Sequence, residues 1–350
     1  MPDLEYTVLP VRRRVIKVTI TNNQSIATAN PHVQEIAIGH DYLLTLLGVG
    51  IDLYAVPLNT IFYDPQANAQ AYSWYDGYDG TYHRWYVKLP SIGAKSTYTL
   101  YMIIDLTQQL VDGKYAGINA IYGQNYLNLS YGQYDNGKNV FLLYDNFAGT
   151  TLSSIWSKFG GGSITVNNGL TISIVSGSST TGIFTSLSSV PSTGVVARTW
   201  TIAKSAGSSG GSDYALFFGN NVTTSGVGSA NGYWASWWGY GNTKDSIFKM
   251  SSGSSTALAQ VSDSVILNKL FYSYFMWYYT NQSNLYSYET DTNVALSASD
   301  TTYNLSAISQ FAHYVWVPSS GTATYTTYAI AIFDAPPSGA MPVVSFSLIV

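Results

Sequence analysis

The chain has 350 residues, a formal net charge of −4, 10% charged residues and 15% aromatic ones. Soluble domains ordinarily carry about 25% Asp, Glu, Lys and Arg, so Ser, Thr, Asn, Gly and Tyr must cover much of this surface. Zero cysteines exclude disulfides and thiolate metal sites, the small negative charge gives no basis for nucleic-acid binding, and no apolar run of about 18 residues is present to span a membrane.

Glu5, Glu35 and Glu289 are the sole glutamates. Carboxylates with ordinary pKa values near 4 lose their charge in acid, whereas hydroxyls and amides keep their character. An acidic, hot, extracellular setting is therefore expected. The opening MPDLEYTVLP lacks the basic and continuous apolar regions of a secretory signal. The expectation is that a signal was removed, or that the protein leaves the cell another way, such as inside a virus particle.

In chain order, Leu4, Tyr6 and Val8 alternate with polar residues and predict a strand that adds to a sheet edge, either in a neighbouring subunit or in the same chain. Arg12, Arg13 and Arg14 read as a solvated edge strand that resists stray pairing. Alternation then predicts strands at 15–20, 33–38, 51–56, 84–89 and 97–103, and a short helix over 106–116. Asp76-Gly77 and Asp79-Gly80 read as turns, with calcium binding the lesser alternative. After Tyr131 to Gly137 the texture shifts toward Gly and Ser. A second series of strands follows at 140–144, 164–166, 170–175, 195–202, 214–218, 232–238, 270–279, 312–317, 325–332 and 343–349, the last completing a large two-sheet jelly roll. The fold class is thus all-β, with an N-terminal arm over 1–12, a small antiparallel β-sandwich over 13–137 and a larger jelly roll over 138–350.

The segments Arg14-Val-Ile-Lys-Val-Thr-Ile-Thr-Asn-Asn23 and Trp85-Tyr-Val-Lys-Leu-Pro-Ser-Ile-Gly-Ala-Lys-Ser96 resemble an uncharacterised domain family of archaeal and bacterial surface proteins. Tyr144-Asp-Asn-Phe-Ala-Gly-Thr-Thr-Leu152, Trp156 and Ile164 to Ile172 resemble the concanavalin A-like lectin/glucanase jelly roll that commonly follows that domain, and Ala335 to Phe346 resembles the ending such tandem proteins often have. The resemblance implies a fold and an extracellular setting more than an activity. It also makes Asp145, after the first jelly-roll strand, a candidate ligand for a structural calcium; no other cofactor is expected.

Catalytic signatures are sparse. Glucanases of this fold carry E-x-D-x-x-E on one strand, because two same-face carboxylates divide the nucleophile and acid roles. Here Glu289-Thr-Asp291 is followed by Val294 in place of the second glutamate, so no enzyme is expected. His32, His40, His83 and His313 lack metal-ligand spacing, and Gly207-Ser-Ser-Gly-Gly211 lies outside any strand-to-helix context for a nucleophile. Tyr233, Trp234, Trp237, Trp238 and Tyr240 form the densest aromatic stretch; such residues fill a core, anchor a protein interface or stack on sugars. Sequons at Asn23, Asn128, Asn221, Asn281 and Asn304 permit glycosylation. The leading expectation is a non-enzymatic structural or adhesive protein of an archaeal extracellular assembly: a virion capsid, spike or fibre component, or a cell-surface filament subunit. Identical subunits are its expected partners, with other surface or virion proteins and host glycans as further ones. The alternative is a lectin-like module that recognises surface glycans, and a glycan hydrolase comes last.

Overall fold

The computed structural model describes residues 12–126, 129–175, 180–206, 212–238, 244–263, 266–318 and 321–349. The chain forms two compact units, Met1–Val140 with Met341–Val350, and Phe141–Ala340. Both are β-sandwiches, the all-β class read from alternation, and the larger one is a jelly roll.

The first unit contains β1 (Arg13–Asn22), β2 (His32–Gly39), β3 (Thr60–Asp64), β4 (Ala69–Gln70), β5 (Ser73–Tyr78), β6 (Tyr82–Leu89), β7 (Ser96–Asp105) and β8 (Ala116–Ile118). In β1, Ile16, Val18 and Ile20 are buried while Lys17, Thr19 and Thr21 are only partly so, the period-two pattern of a strand with one face on a core. These side chains and Leu100, Met102 and Ile104 of β7 share one apolar core with Ile36, Ile38, Trp85 and Val87 of β2 and β6. The sheet orders are C-terminal strand-β1-β7-β3-β4 and β2-β6-β5-β8, with β5 and β8 the parallel pair. Helix α1 (His40–Leu47) buries Leu43 and Leu47 and ends at Gly48, whose φ of 66° suits a residue without Cβ.

Several expectations are corrected here. The arginine run keeps one open side, since the ladder with the C-terminal strand covers only Ile16 to Thr21, while Arg13 and Arg14 pair with β7 and Arg12 Nε and Arg13 Nε donate to Asp105 at 3.0 and 3.2 Å. Residues 51–56 do not form a strand but lead into α2 (Ala55–Leu58), and 106–116 contain no helix. Asp76-Gly77 lies inside β5 at a register shift, where the Tyr122 ring lies against Gly77 and leaves no room for a Cβ. Asp79-Gly80 is the turn, with Asp79 accepting from the Thr81 and Tyr82 N–H groups. After α3 (Ala120–Tyr126), the predicted strand at 140–144 is divided between α4 (Gly137–Val140) and a short strand, Leu143–Asp145.

The second unit contains that strand as β9, then β10 (Ser157–Gly160), β11 (Ser163–Val166), β12 (Leu170–Val175), β13 (Thr180–Ser186), β14 (Gly194–Ala206), β15 (Asp213–Asn220) and β16 (Asn231–Trp238). It continues with β17 (Asp245–Ser251), β18 (Ser254–Val261), β19 (Leu270–Tyr279), β20 (Ser283–Glu289), β21 (Ala295–Asp300), β22 (Gln310–Trp316) and β23 (Thr322–Asp334). One sheet has seven strands in the order β10-β13-β22-β15-β16-β17-β18. The other has eight, β11-β12-β23-β14-β19-β20-β21, with β9 paired to β23. Their facing sides interdigitate: Tyr214, Leu216 and Phe218 of β15 belong to the same core as Phe271, Phe275 and Trp277 of β19. Burying each such aromatic contributes roughly 2–3 kcal/mol from transfer alone.

The C-terminal strand β24 (Val343–Leu348) does not complete the jelly roll. It pairs antiparallel with β1 in the first unit, Val18 opposite Phe346, so the expected 138–350 range loses its last strand. Alternation fixes which face of a strand is buried and not which strand it pairs with, and β1 takes β24 along a ladder from Ile16 to Thr21.

Candidate functional site

The aromatic stretch of β16 is divided by the pleat. Tyr233 and Trp237 point into the core, and Trp234 points to the opposite face of the seven-stranded sheet, stacked on Phe248 with ring centroids 4.3 Å apart. Trp238 is the last residue of β16, and Tyr240 lies outside the described residues. Trp234 shares the outer face with Phe217, Met250 and Tyr314, and Val222 and Ala230 pack against the same cluster. Two polar atoms on β16, Trp234 Nε1 and Ser236 Oγ, are buried and make no hydrogen bond among the described residues.

The eight-stranded sheet presents a different outer face. Tyr272, Tyr274 and Tyr278 of β19 and Tyr286 and Tyr288 of β20 are half-buried, alternating with the core residues Phe271, Phe275 and Leu285. Tyr274 and Tyr286 meet edge to face with centroids 6.0 Å apart, and the Arg198 guanidinium stands 5.2 Å from the Trp200 ring and 5.3 Å from the Tyr272 ring. Further along, the hydroxyl pairs Thr171–Thr326 and Ser173–Thr324 bridge β12 and β23 at 3.0 and 3.1 Å. Sequence reasoning missed this array in favour of the denser Trp cluster. Its signal was tyrosine at every second position in Tyr272, Tyr274 and again in Tyr286, Tyr288, a spacing that puts all of them on one sheet face.

Carboxylates gather at one end of the second unit. Asp245 opens β17, Asp263 follows β18 and Glu289 ends β20, and one oxygen from each lies within 4.8 Å of the others. Glu289 Oε2 accepts from the Asp291 N–H at 2.8 Å, and Oε1 accepts from the Thr292 and Val294 N–H groups, each at 3.2 Å. The Thr292 hydroxyl contacts both Glu289 Oε1 and Asp263 Oδ2. Burial raises the Glu289 pKa, the Thr292 and Val294 donors pull it down, and the Asp263 charge adds to the rise. Val294, at the place of a second glutamate, thus supplies a backbone donor to a fully buried carboxylate that holds its own turn. Asp213, at the start of β15, is also buried; burial and the neighbouring Asp245 charge push its pKa well up.

Asp145 is buried at the end of β9, with Oδ1 accepting from the Phe147 N–H at 2.8 Å and Oδ2 from Trp156 Nε1 at 2.8 Å. Those bonds make it a turn anchor, and among the described residues it joins no group of metal-ligating side chains. Asn23, Asn221, Asn281 and Asn304 are exposed. Leu4, Tyr6, Val8 and Asn128 lie outside the described residues, as does the Gly207 to Gly211 segment.

Two histidines that looked scattered meet: His40 Nδ1 lies 3.0 Å from His83 Nε2, and His83 Nδ1 lies 3.0 Å from the Tyr75 hydroxyl. Burial, reinforced by His40, lowers the His83 pKa to about 3, with Asp79 opposing. Beside this chain Tyr54, Tyr75, Tyr78 and Tyr122 line a cavity of about 20 Å³, room for about one water molecule.

No protein-family model matches the chain. A curated relative, "Uncharacterized protein 562" of Sulfolobus islandicus rod-shaped virus 1, is 34% identical over 147 residues, which are 41% of this chain and 23% of the relative. The match therefore spans less than a quarter of that protein's length. Similar solved structures include the carbohydrate binding module CBM66 from Bacillus subtilis, at 16% identity and a TM-score of 0.37, covering 51% of this chain and 96% of that one. The Ca2+-bound exoplasmic/lumenal domain of VIP36 is another, at 13% identity and a TM-score of 0.39, covering 57% of this chain and 95% of that one. No helix among the described residues is long and apolar enough to cross a membrane.

Proposed function

We propose that this chain is a non-enzymatic adhesive building block of an archaeal extracellular assembly, a component of a virion surface, that makes contacts through the tyrosine and hydroxyl face of its eight-stranded sheet. The observation that carries this reading is the half-buried row Tyr272, Tyr274, Tyr286 and Tyr288 on one open sheet face. Tyrosine offers a broad apolar ring and a polar tip at small entropic cost, which is why it concentrates at interfaces. A face built from phenol and alcohol hydroxyls keeps its character in acid, where carboxylate pairs fail. The rod-shaped-virus origin of the 34% identical relative supports the setting. Sedimentation velocity of the full chain near pH 4 tests the proposal. Concentration-dependent assembly is expected for the wild type, and Tyr274→Ser with Tyr286→Ser should abolish it; a wild type that stays monomeric at millimolar concentration overturns it.

A second reading, glycan recognition, is favoured by the outer face of the seven-stranded sheet. There Trp234 Nε1 and Ser236 Oγ lack partners among the described residues beside the Trp234–Phe248 stack, and sugars supply hydroxyls and an apolar ring face together. Entry requires the segment carrying Val222 and Ala230, which packs on this face, to move aside. Ser236→Ala removes one polar atom and keeps the packing, whereas Trp234→Phe removes the other together with part of a buried ring. If sugars bind here, glycan-array signals should fall about tenfold in each variant, and Ser236→Ala should lose no stability, since deleting an unsatisfied buried group is close to neutral. Equal binding by wild type and both variants excludes this site.

A further inference from the structure

We propose that Asp245, Asp263 and Glu289 hold a calcium ion that ties the two sheets of the second unit together at one end. Asp245 stands on the seven-stranded sheet, Glu289 on the eight-stranded sheet and Asp263 in the connection between β18 and β19. One carboxylate oxygen from each lies within 4.8 Å of the other two. Calcium binds oxygens at about 2.3–2.6 Å, so oxygens on a common ion stand at most about 5 Å apart, the spacing seen here. The set is all oxygen, with no imidazole or thiolate among it, which selects a hard cation over zinc. Calcium tolerates irregular coordination by 6–8 oxygens, whereas magnesium demands a near-ideal octahedron and keeps its waters.

Two further carboxylates point to the same charge. Asp213 is only 4% exposed, its Oδ1 makes no hydrogen bond among the described residues, and it stands close enough to Asp245 for the two charges to repel. Asp291 is 7% exposed, and its Oδ1 likewise makes no hydrogen bond among the described residues although Oδ2 accepts from the Ile266 N–H. A buried carboxylate oxygen without a donor is costly unless a positive charge stands near it. Among the described residues the hydrogen-bond partners of Glu289 and Asp263 are neutral N–H and hydroxyl donors. A divalent ion among the three ligands supplies what those donors do not, and its field reaches Asp213 and Asp291 as well.

The site is independent of the adhesive reading and is tested without it. The full chain, stripped with EDTA near pH 7, is melted with and without millimolar Ca2+, with Mg2+ as control. Ca2+ should raise the transition by about 5 °C, because an ion that binds only the folded state stabilises it by mass action. Glu289→Gln and the milder, partly exposed Asp263→Asn should each lose that rise, and Asp263→Asn in EDTA should melt at or above the wild type because it relieves repulsion. Terbium luminescence excited through tryptophan should appear in the wild type and disappear in Asp263→Asn. The proposal is overturned if Ca2+ leaves the wild-type transition in place, if Asp263→Asn retains the full rise, or if acidification stabilises the wild type while Ca2+ does nothing, the signature of shared protons.

Discussion

Asp105 in the first unit and Asp213 in the second are both buried aspartates at strand ends, and the fold treats them in opposite ways. Burial would raise the Asp105 pKa, but the Thr107 N–H, Arg12, Arg13 and the Thr107 hydroxyl outweigh it and hold the carboxyl well below its usual range. Asp213 has burial and the Asp245 charge acting in one direction, and its pKa rises. A buried carboxylate is thus either a finished hydrogen-bond hub or an unfinished one, and the difference lies in its donors. In the first unit two local N–H groups, of Thr107 and Gln108, and two arginines brought across by the pairing of β1 with β7 complete the carboxylate; in the second the neighbour of Asp213 is another acid.

The largest effect expected from breaking this contrast is at Asp105. Asp105→Ala strands the Thr107 and Gln108 N–H groups and leaves two arginines side by side, which should cost about 3 kcal/mol in urea denaturation. Asp213→Asn should act with the other sign at pH 7, stabilising by about 1 kcal/mol, because it removes a buried charge without removing a good partner. A destabilisation there, in EDTA, would mean that the Asp213 charge is compensated.

Acid separates the two residues further. Asp105 binds its proton less tightly folded than unfolded, so its contribution is full above the unfolded pKa near 4 and is lost as pH falls toward the lower folded value. Asp213 binds its proton more tightly when folded. Its contribution is full below pH about 4 and is lost as pH rises through the elevated folded value. Subtracting the stability profile of Asp213→Asn from that of the wild type should therefore give a difference that grows in the wild type's favour toward acid. The same subtraction for Asp105→Asn should shrink toward acid. His313, which burial holds at about 4, is present in both members of each pair and cancels.

Much of the strand layout was legible from alternation. Leu170–Val175 and Leu270–Tyr279 coincide with their expected spans, because Leu170, Ile172 and Ile174 recur every second residue and β19 is apolar and aromatic at every position but Ser273. Helix α1 escaped notice: its eight residues carry four leucines, too short and too uniformly apolar to reveal a period of 3.6. The partner of β24 was illegible for another reason, since a strand's own pattern names its buried face and never its neighbour. The acid cluster lay out of reach in the same way. Glu289-Thr-Asp291 drew attention as a broken catalytic motif, but only the meeting of β17, β18 and β20 brings residues 245, 263 and 289 together.

Asp300 sharpens the rule, because it is a carboxylate of the second unit that does receive donors. Burial acts to raise its pKa, yet the Tyr233 hydroxyl at 2.6 Å, the Thr302 hydroxyl and N–H, and Lys249 at 3.3 Å bring it down to about 2. If neutral donors rather than net charge finish such a hub, the two bonds should differ in weight. Tyr233→Phe removes a short bond from a buried hydroxyl and should cost about 1.5 kcal/mol, the usual net value for a hydrogen bond to a charged group. Lys249→Met keeps the apolar stem over its strand and removes an ammonium that is 24% exposed, so solvent already screens it; about 0.5 kcal/mol is expected. A larger loss at Lys249 than at Tyr233 in the same urea titration would show that charge pairing, not hydrogen bonding, distinguishes Asp300 and Asp105 from Asp213.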